Sequence, residues 1–214
     1  MRHTVFYGSG VLAVAAMTAA LLVWPIAGQA QLGGILPGGI LPGGILPGPT
    51  TTVLADTGTL GAGTSDALQA SQLVGSIPSL LTGEVLHAVT ISYPDQIDSE
   101  ASLASLSLNV AGTSIGADAV MARAMAVAGG VVGTSNIDGL SINGVPVPVT
   151  GDPNQTIGIP GGVLVINEQQ VSGDGTTVVN ALHATVTGIA DVVIASATAG
   201  ASGGNAKAVQ ATTF

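Results

Sequence analysis

From residue 50 onward, apolar and polar residues alternate in short runs that end at glycine, proline or asparagine. That two-residue period restricts the chain to β-structure, because a strand turns successive side chains to opposite faces. Leu106, Leu108 and Val110 alternate with Ser105, Ser107 and Asn109. Leu140 and Ile142 lead into Asn143-Gly144, and Val145, Val147 and Val149 follow, separated by prolines. Asn-Gly between two such runs signals a two-residue hairpin, since both positions need positive φ. Pro146 and Pro148 have no N–H to donate, which places the returning strand at a sheet edge. Further strands are expected over 156–159, 163–166, 177–187 and 189–198, with turns at Pro160-Gly161-Gly162 and Gly173-Asp174-Gly175.

Three stretches need arbitration. Residues 117–128 are rich in Ala and Met, which favour helix. Gly116 and Gly129-Gly130 bracket them between strands, so a strand is expected. Residues 65–81 are expected to hold a short helix or turn broken at Ser76-Ile77-Pro78, and 200–214 to form a loose, flexible tail. The expected domain is an all-β antiparallel β-sandwich over 51–199, jelly-roll-like or immunoglobulin-like, carrying an extended Gly/Pro-rich N-terminal arm. Leu86-His87-Ala88 and Leu182-His183-Ala184 open two Val/Thr-rich strands alike, an echo that fits a weak structural repeat.

The arm is a tandem repeat: residues 33–48 read GGILPGGILPGGILPG. A proline every fifth residue excludes helix and central strand. Fifteen such residues would reach about 47 Å as polyproline, or average roughly 20 Å as a Gly-type coil. Residues 31–50 are therefore a spacer or docking arm. Before them, residues 1–30 have the parts of a secretory signal: Arg2, an apolar run over 11–23, Pro25, and small residues at Gly28-Gln29-Ala30. The apolar run is shorter than the roughly 20 residues of a membrane-spanning helix. Cleavage is expected between Ala30 and Gln31, giving a secreted or cell-surface chain with no membrane span in its mature part.

Losing residues 1–30 leaves Arg123 and Lys207 against twelve acidic residues, a formal charge of −10. Two cations cannot neutralise a phosphate backbone, so nucleic acid is excluded as a partner, and anionic membrane surfaces are disfavoured. Cys is absent, so burial and backbone pairing must supply the stability. Tyr93 and Phe214 are the only aromatics after residue 30. Sugar-binding faces and protein hot spots lean on Trp and Tyr, which this chain almost lacks.

Few residues suggest chemistry. Gly112-Thr113-Ser114-Ile115-Gly116 matches the G-x-S-x-G nucleophile pattern, but it lies between two expected strands, where it makes a hairpin turn. His87 and His183 lie within strands rather than at metal-ligand spacing. Phase places His183 toward solvent with Thr185 and Thr187. His87 shares a face with Val85, Val89 and Ile91 and is expected to be half-buried and hydrogen-bonded. A metal site or pH switch shared by the two histidines is the minor reading. Asp95, Asp98 and Glu100 cluster beside Pro94 without the glycine and downstream glutamate of a calcium loop, so a solvated turn is expected. Asn154-Gln155-Thr156 fits a glycan acceptor but is expected to be an ordinary turn. Arg123, alone on an Ala/Met strand, is expected to form an ion pair with a carboxylate. No catalytic residue, cofactor or metal site is assigned.

The residues Thr57-Gly58-Thr59-Leu60-Gly61 and 83–88 (GEVLHA) resemble the secreted bacterial family called choice-of-anchor P. So do 99–103 (SEASL), 142–144 (ING), 153–157 (PNQTI), 165–169 (VINEQ), 181–184 (ALHA) and 188–194 (GIADVVI). The resemblance covers roughly residues 56–198 and implies an exported β-rich domain with no enzymatic activity. The chain carries neither a C-terminal hydrophobic span with a basic stop nor a Leu-Pro-x-Thr-Gly sorting motif. The expected function is a non-enzymatic extracellular or cell-surface structural protein, self-associating or bound to a surface polymer. Thr51, Thr52, Val53 and Leu54 have strand propensity and are the candidate donor segment for a neighbour's sheet edge. The alternative is a monomeric binding module that recognises a polysaccharide, a surface or ice through a flat Thr/Ser/Val face.

Overall fold

The computed structural model describes residues 50–58, 67–77 and 80–214. The expected leader (residues 1–30), the Ala30-Gln31 junction and the proline repeat lie outside them. The described residues form strands β1 (Thr50–Asp56), β2 (Ala67–Ile77), β3 (Leu81–Ser92), β4 (Gln96–Val110), β5 (Thr113–Val127), β6 (Gly130–Asp138) and β7 (Ser141–Ile142). They continue as β8 (Val145–Pro146), β9 (Gln155–Ile159), β10 (Gly162–Val171), β11 (Thr177–Val186), β12 (Ala190–Gly200) and β13 (Gly203–Thr213).

Two antiparallel sheets face each other. One runs β1-β13-β12-β11-β10-β9, the other β2-β3-β4-β5-β7-β8, with β6 also paired to β5. The all-β sandwich expected from the alternation is therefore present. Its order is a pair of meanders closed by β1 against β13, without the Greek-key order of jelly rolls and immunoglobulin domains. Asn143 and Gly144 both take positive φ in the β7–β8 turn, and Pro146 sits on the terminal strand of its sheet. The Ala/Met stretch is a strand, β5, as its bracketing glycines require.

Two expectations are corrected. Within 65–81, residues 67–77 are strand β2, paired with β3 from Ala67↔Ser92 to Ile77↔Leu81. The reach of the long β3 supplies a pairing partner that local turn signals do not reveal. The tail 200–214 is largely β13, an interior strand between β1 and β12. Apart from Val209, its inward residues Gly204, Ala206, Ala208 and Ala211 are too small to read as an apolar stripe, yet all are buried. The domain thus extends through Thr213.

Those small residues bring the layers close. A Cβ added to Gly204 would lie 2.5 Å from Ser99 Oγ and 2.7 Å from Ile97 Cγ2 on the facing sheet. Gly133 meets Val179 in the same way at 2.6 Å. A buried hydroxyl chain also crosses between the layers. Thr57 Oγ1 is 3.1 Å from Thr90 Oγ1, which is 3.2 Å from Ser99 Oγ, and Thr57 accepts the Ala206 N–H at 2.9 Å.

Each sheet has a line along which the in–out alternation resets. In the six-stranded sheet one rung is Ile166↔Leu182↔Ile194↔Val209↔Leu54, and the next is Glu168↔Asn180↔Ser196↔Lys207↔Asp56. Between them lie Asn167, Ala181, Ala195, Ala208 and Ala55, all buried like Ile166, Leu182, Ile194 and Val209 on the first rung. Asn167, Ala195 and Ala55 hold φ near +50°. The seven-stranded sheet resets at Val85 on β3 and Ser105 on β4, again at positive φ. Aligned across neighbouring strands, these resets form one line, the crease, in each sheet.

Candidate functional site

Two regions bring polar side chains together. The first is the outer face of the six-stranded sheet, across its crease. His183 on β11 presents Nδ1 to Glu168 Oε2 of β10 at 2.8 Å and Nε2 to Asp191 Oδ1 of β12 at 2.7 Å. Thr185 Oγ1 lies 3.3 Å from Nε2. Asn180 and Gln170 donate to Glu168 at 2.6 and 2.9 Å. An imidazole with a carboxylate at each nitrogen can donate to both only as imidazolium. Burial opposes that charge, but the Asp191 hydrogen bond and the charge and hydrogen bond of Glu168 outweigh it, so the His183 pKa is raised. Burial also works against Glu168, and the bonds from Asn180 and Gln170 with the charge of His183 reverse it, so its pKa is lowered.

Glu168, His183 and Thr185 resemble an acid–base–nucleophile series in composition only. Asp191 holds the nitrogen that would have to take a hydroxyl proton, and the group sits on an open sheet face rather than around an oxyanion site. The arrangement is a three-strand electrostatic clamp. The sequence phase turns His183 toward solvent, but Glu168 and Asp191 lie 15 and 8 residues away and meet it only through strand order.

The second region is a cleft of about 550 Å³ at one end of the sandwich. Four hairpin turns frame it: β3–β4 and β5–β6 from one sheet, β10–β11 and β12–β13 from the other. Ile97 and Ala126 form a buried floor, and Tyr93, Asp95 and Asp174 line it as well. Asp174 accepts the Thr176 N–H at 3.0 Å and its hydroxyl at 3.1 Å, which lowers its pKa. Nothing in the alternation pattern marks this cleft, because its walls are turns.

The other candidates resolve individually. His87 is half-buried on the outer face of the seven-stranded sheet with Val89 and Ile91, while Leu86, Ala88 and Thr90 fill the core. It therefore lies on the opposite side of the sandwich from His183, and the two cannot share a metal. Their sequence echo marks equivalent places: each Leu-His-Ala follows the crease of its sheet. Among the described residues no group of three His, Cys, Asp or Glu is arranged to hold a metal ion.

Ser114 is exposed where the β4–β5 hairpin enters β5, and its N–H donates to Asn143 Oδ1 at 2.9 Å. No helix follows it, so the nucleophile-elbow geometry is absent there. Arg123 pairs with Asp98 through Nε at 2.8 Å and Nη2 at 2.5 Å. Glu100 stands directly opposite Arg123 in register, and Asp95 lies apart on the turn. Asn154 caps a turn by accepting the Gln169 N–H at 2.9 Å. Thr51, Thr52, Val53 and Leu54 lie in β1, opposite Thr212, Ala211, Gln210 and Val209 of their own chain.

No family model, no curated protein and no solved structure matches the chain.

Proposed function

We propose that the chain is an exported, non-enzymatic structural module that joins copies at the cell surface or in an extracellular layer by exchanging its first strand. The supporting observation is the place of β1. Among the described residues it is the outermost strand of its sheet, paired with β13 alone, with Thr50, Thr51 and Val53 exposed. The proline-punctuated arm precedes it directly. A strand held along one side can be traded for the same strand of a second copy with every contact preserved. The leader-like residues 1–30 support export, and the choice-of-anchor P resemblance points the same way.

The alternative of a flat face for ice, a surface or a polysaccharide finds less support. The crease interrupts the six-stranded sheet midway, and the His183 clamp occupies the ground beside it.

The absence of Cys permits a direct test. Thr51 and Thr212 are register partners with hydroxyls 3.2 Å apart, so a Thr51→Cys/Thr212→Cys variant reports which chain fills the edge. Exchange predicts covalent oligomers on a non-reducing gel, growing with protein concentration before oxidation. Cross-linking confined to monomers at every concentration would overturn it.

A further inference from the structure

The end cleft has a chemistry that assembly by β1 does not use. Its volume of about 550 Å³ falls within the range of small-molecule sites, about 300–1,000 Å³. Its lining contains two carboxylates, Asp95 and Asp174, and no basic residue. The two cations that follow residue 30 lie elsewhere: Arg123 is held by Asp98, and Lys207 stands in register with Asp56 and Ser196 on the six-stranded sheet. Bonds from Thr176 orient the Asp174 carboxylate and keep it ionised. Tyr93 contributes an aromatic ring, whose face attracts cations. Ile97, Ala126 and Val131 supply apolar surface between the layers. The rim glycines Gly129, Gly130 and Gly175 have open space where a side chain would stand.

We infer that this cleft binds an organic ammonium ion with an aliphatic body, its charge facing Asp95 and Asp174 and its chain against Ile97, Ala126 and Val131. An anionic ligand would meet two carboxylates on a chain of net charge −9. A divalent metal ion would require a converging set of ligands that the described residues do not present. The ammonium can arrive as a free amine or as a lysine side chain of another macromolecule.

The test titrates n-hexylammonium into the full secreted chain and follows backbone ¹H–¹⁵N resonances. The expected result is saturable shifts confined to residues 93–97, 126–131, 174–175 and 200–201. Hexanoate, with a similar body and opposite charge, produces none. Asp95→Asn/Asp174→Asn weakens binding at least about tenfold while the remaining spectrum is unchanged, whereas Asp138→Asn/Asp152→Asn, on exposed residues elsewhere, leaves it intact. Nα-acetyl-lysine amide separates the sources: binding as tight as hexylammonium assigns the site to a lysine side chain, and weaker binding assigns it to a free amine. Shifts that do not saturate, an equal response to hexanoate, or undiminished binding in Asp95→Asn/Asp174→Asn would overturn the inference.

Discussion

His183 Nε2 lies 2.7 Å from Asp191 Oδ1 across the β11–β12 ladder, while its other ring nitrogen is held by Glu168. Both contacts are complete only when the ring is charged. The folded pKa of His183 is raised above its ordinary value of about 6.5. Its stabilisation is therefore fully present below that value and is lost as pH rises through the higher folded pKa. Glu168 is shifted down, so its stabilisation is present above the ordinary glutamate value of about 4.3 and is lost as pH falls through the lower folded pKa. The clamp is strongest from about pH 5 to 6.5. Thermal unfolding between pH 6 and 9 should show the wild-type midpoint falling and that of His183→Gln staying nearly flat. Parallel slopes would contradict the clamp.

The Asp98–Arg123 pair is bidentate, but the Arg123 side chain is 43% exposed against 17% for Asp98. Screening by solvent limits such a pair, so Asp98→Ala should cost about 0.5–1 kcal/mol in urea unfolding. Glu100, opposite Arg123, offers a substitute partner. The coupling in a cycle with Arg123→Met should accordingly be larger in a Glu100→Gln background, and it should shrink in about 1 M salt. Salt-independent coupling would point to packing instead.

Val85 holds φ +50° while 49% exposed. A β-branched residue is poorly suited to that conformation, and little burial is at stake. Val85→Asn should gain about 1 kcal/mol, because Asn tolerates left-handed backbone. On the other crease, Ala195→Gly relieves strain while losing a buried methyl, whereas Ala197→Gly, equally buried without positive φ, only loses. The second substitution should be worse by about 1 kcal/mol in chemical denaturation. Equal losses would mean that the crease stores no strain.

Gly204→Ala pushes a methyl group into Ser99 and Ile97, with Thr198 O at 3.0 Å. Overpacking of this kind should cost about 1–3 kcal/mol. Gly158→Ala in β9 meets nothing within 4 Å and should be neutral or stabilising by up to about 1 kcal/mol. A calorimetric comparison of the two variants tests whether small residues on β13 set the spacing of the layers.

What the sequence discloses here is whatever one strand carries by itself. The alternation around Leu106 and the Asn143-Gly144 turn announced strands and a hairpin. The glycines around 117–128 overrode helix propensity. β13 escaped because its inward residues other than Val209 are Gly and Ala, which carry almost no apolar signal although their burial is complete. The creases escaped because a two-residue period reset at Ala195 or Ser105 looks like two shorter runs; only the register with neighbouring strands shows one continuous line. His183 was placed on the correct face, yet Glu168 and Asp191 become its partners through the order β10-β11-β12. The end cleft is built from four turns distant in sequence, and no local pattern could assemble it.

Thr50 stands opposite Thr213 in the β1–β13 ladder, so the first and last strands of the described residues start and finish at one corner. Tension applied between those two points would open the ladder rung by rung like a zipper. The same bonds pulled from opposite ends would have to break together. A tether at that corner therefore loads the rungs of the β1–β13 and β12–β13 ladders one at a time rather than all together.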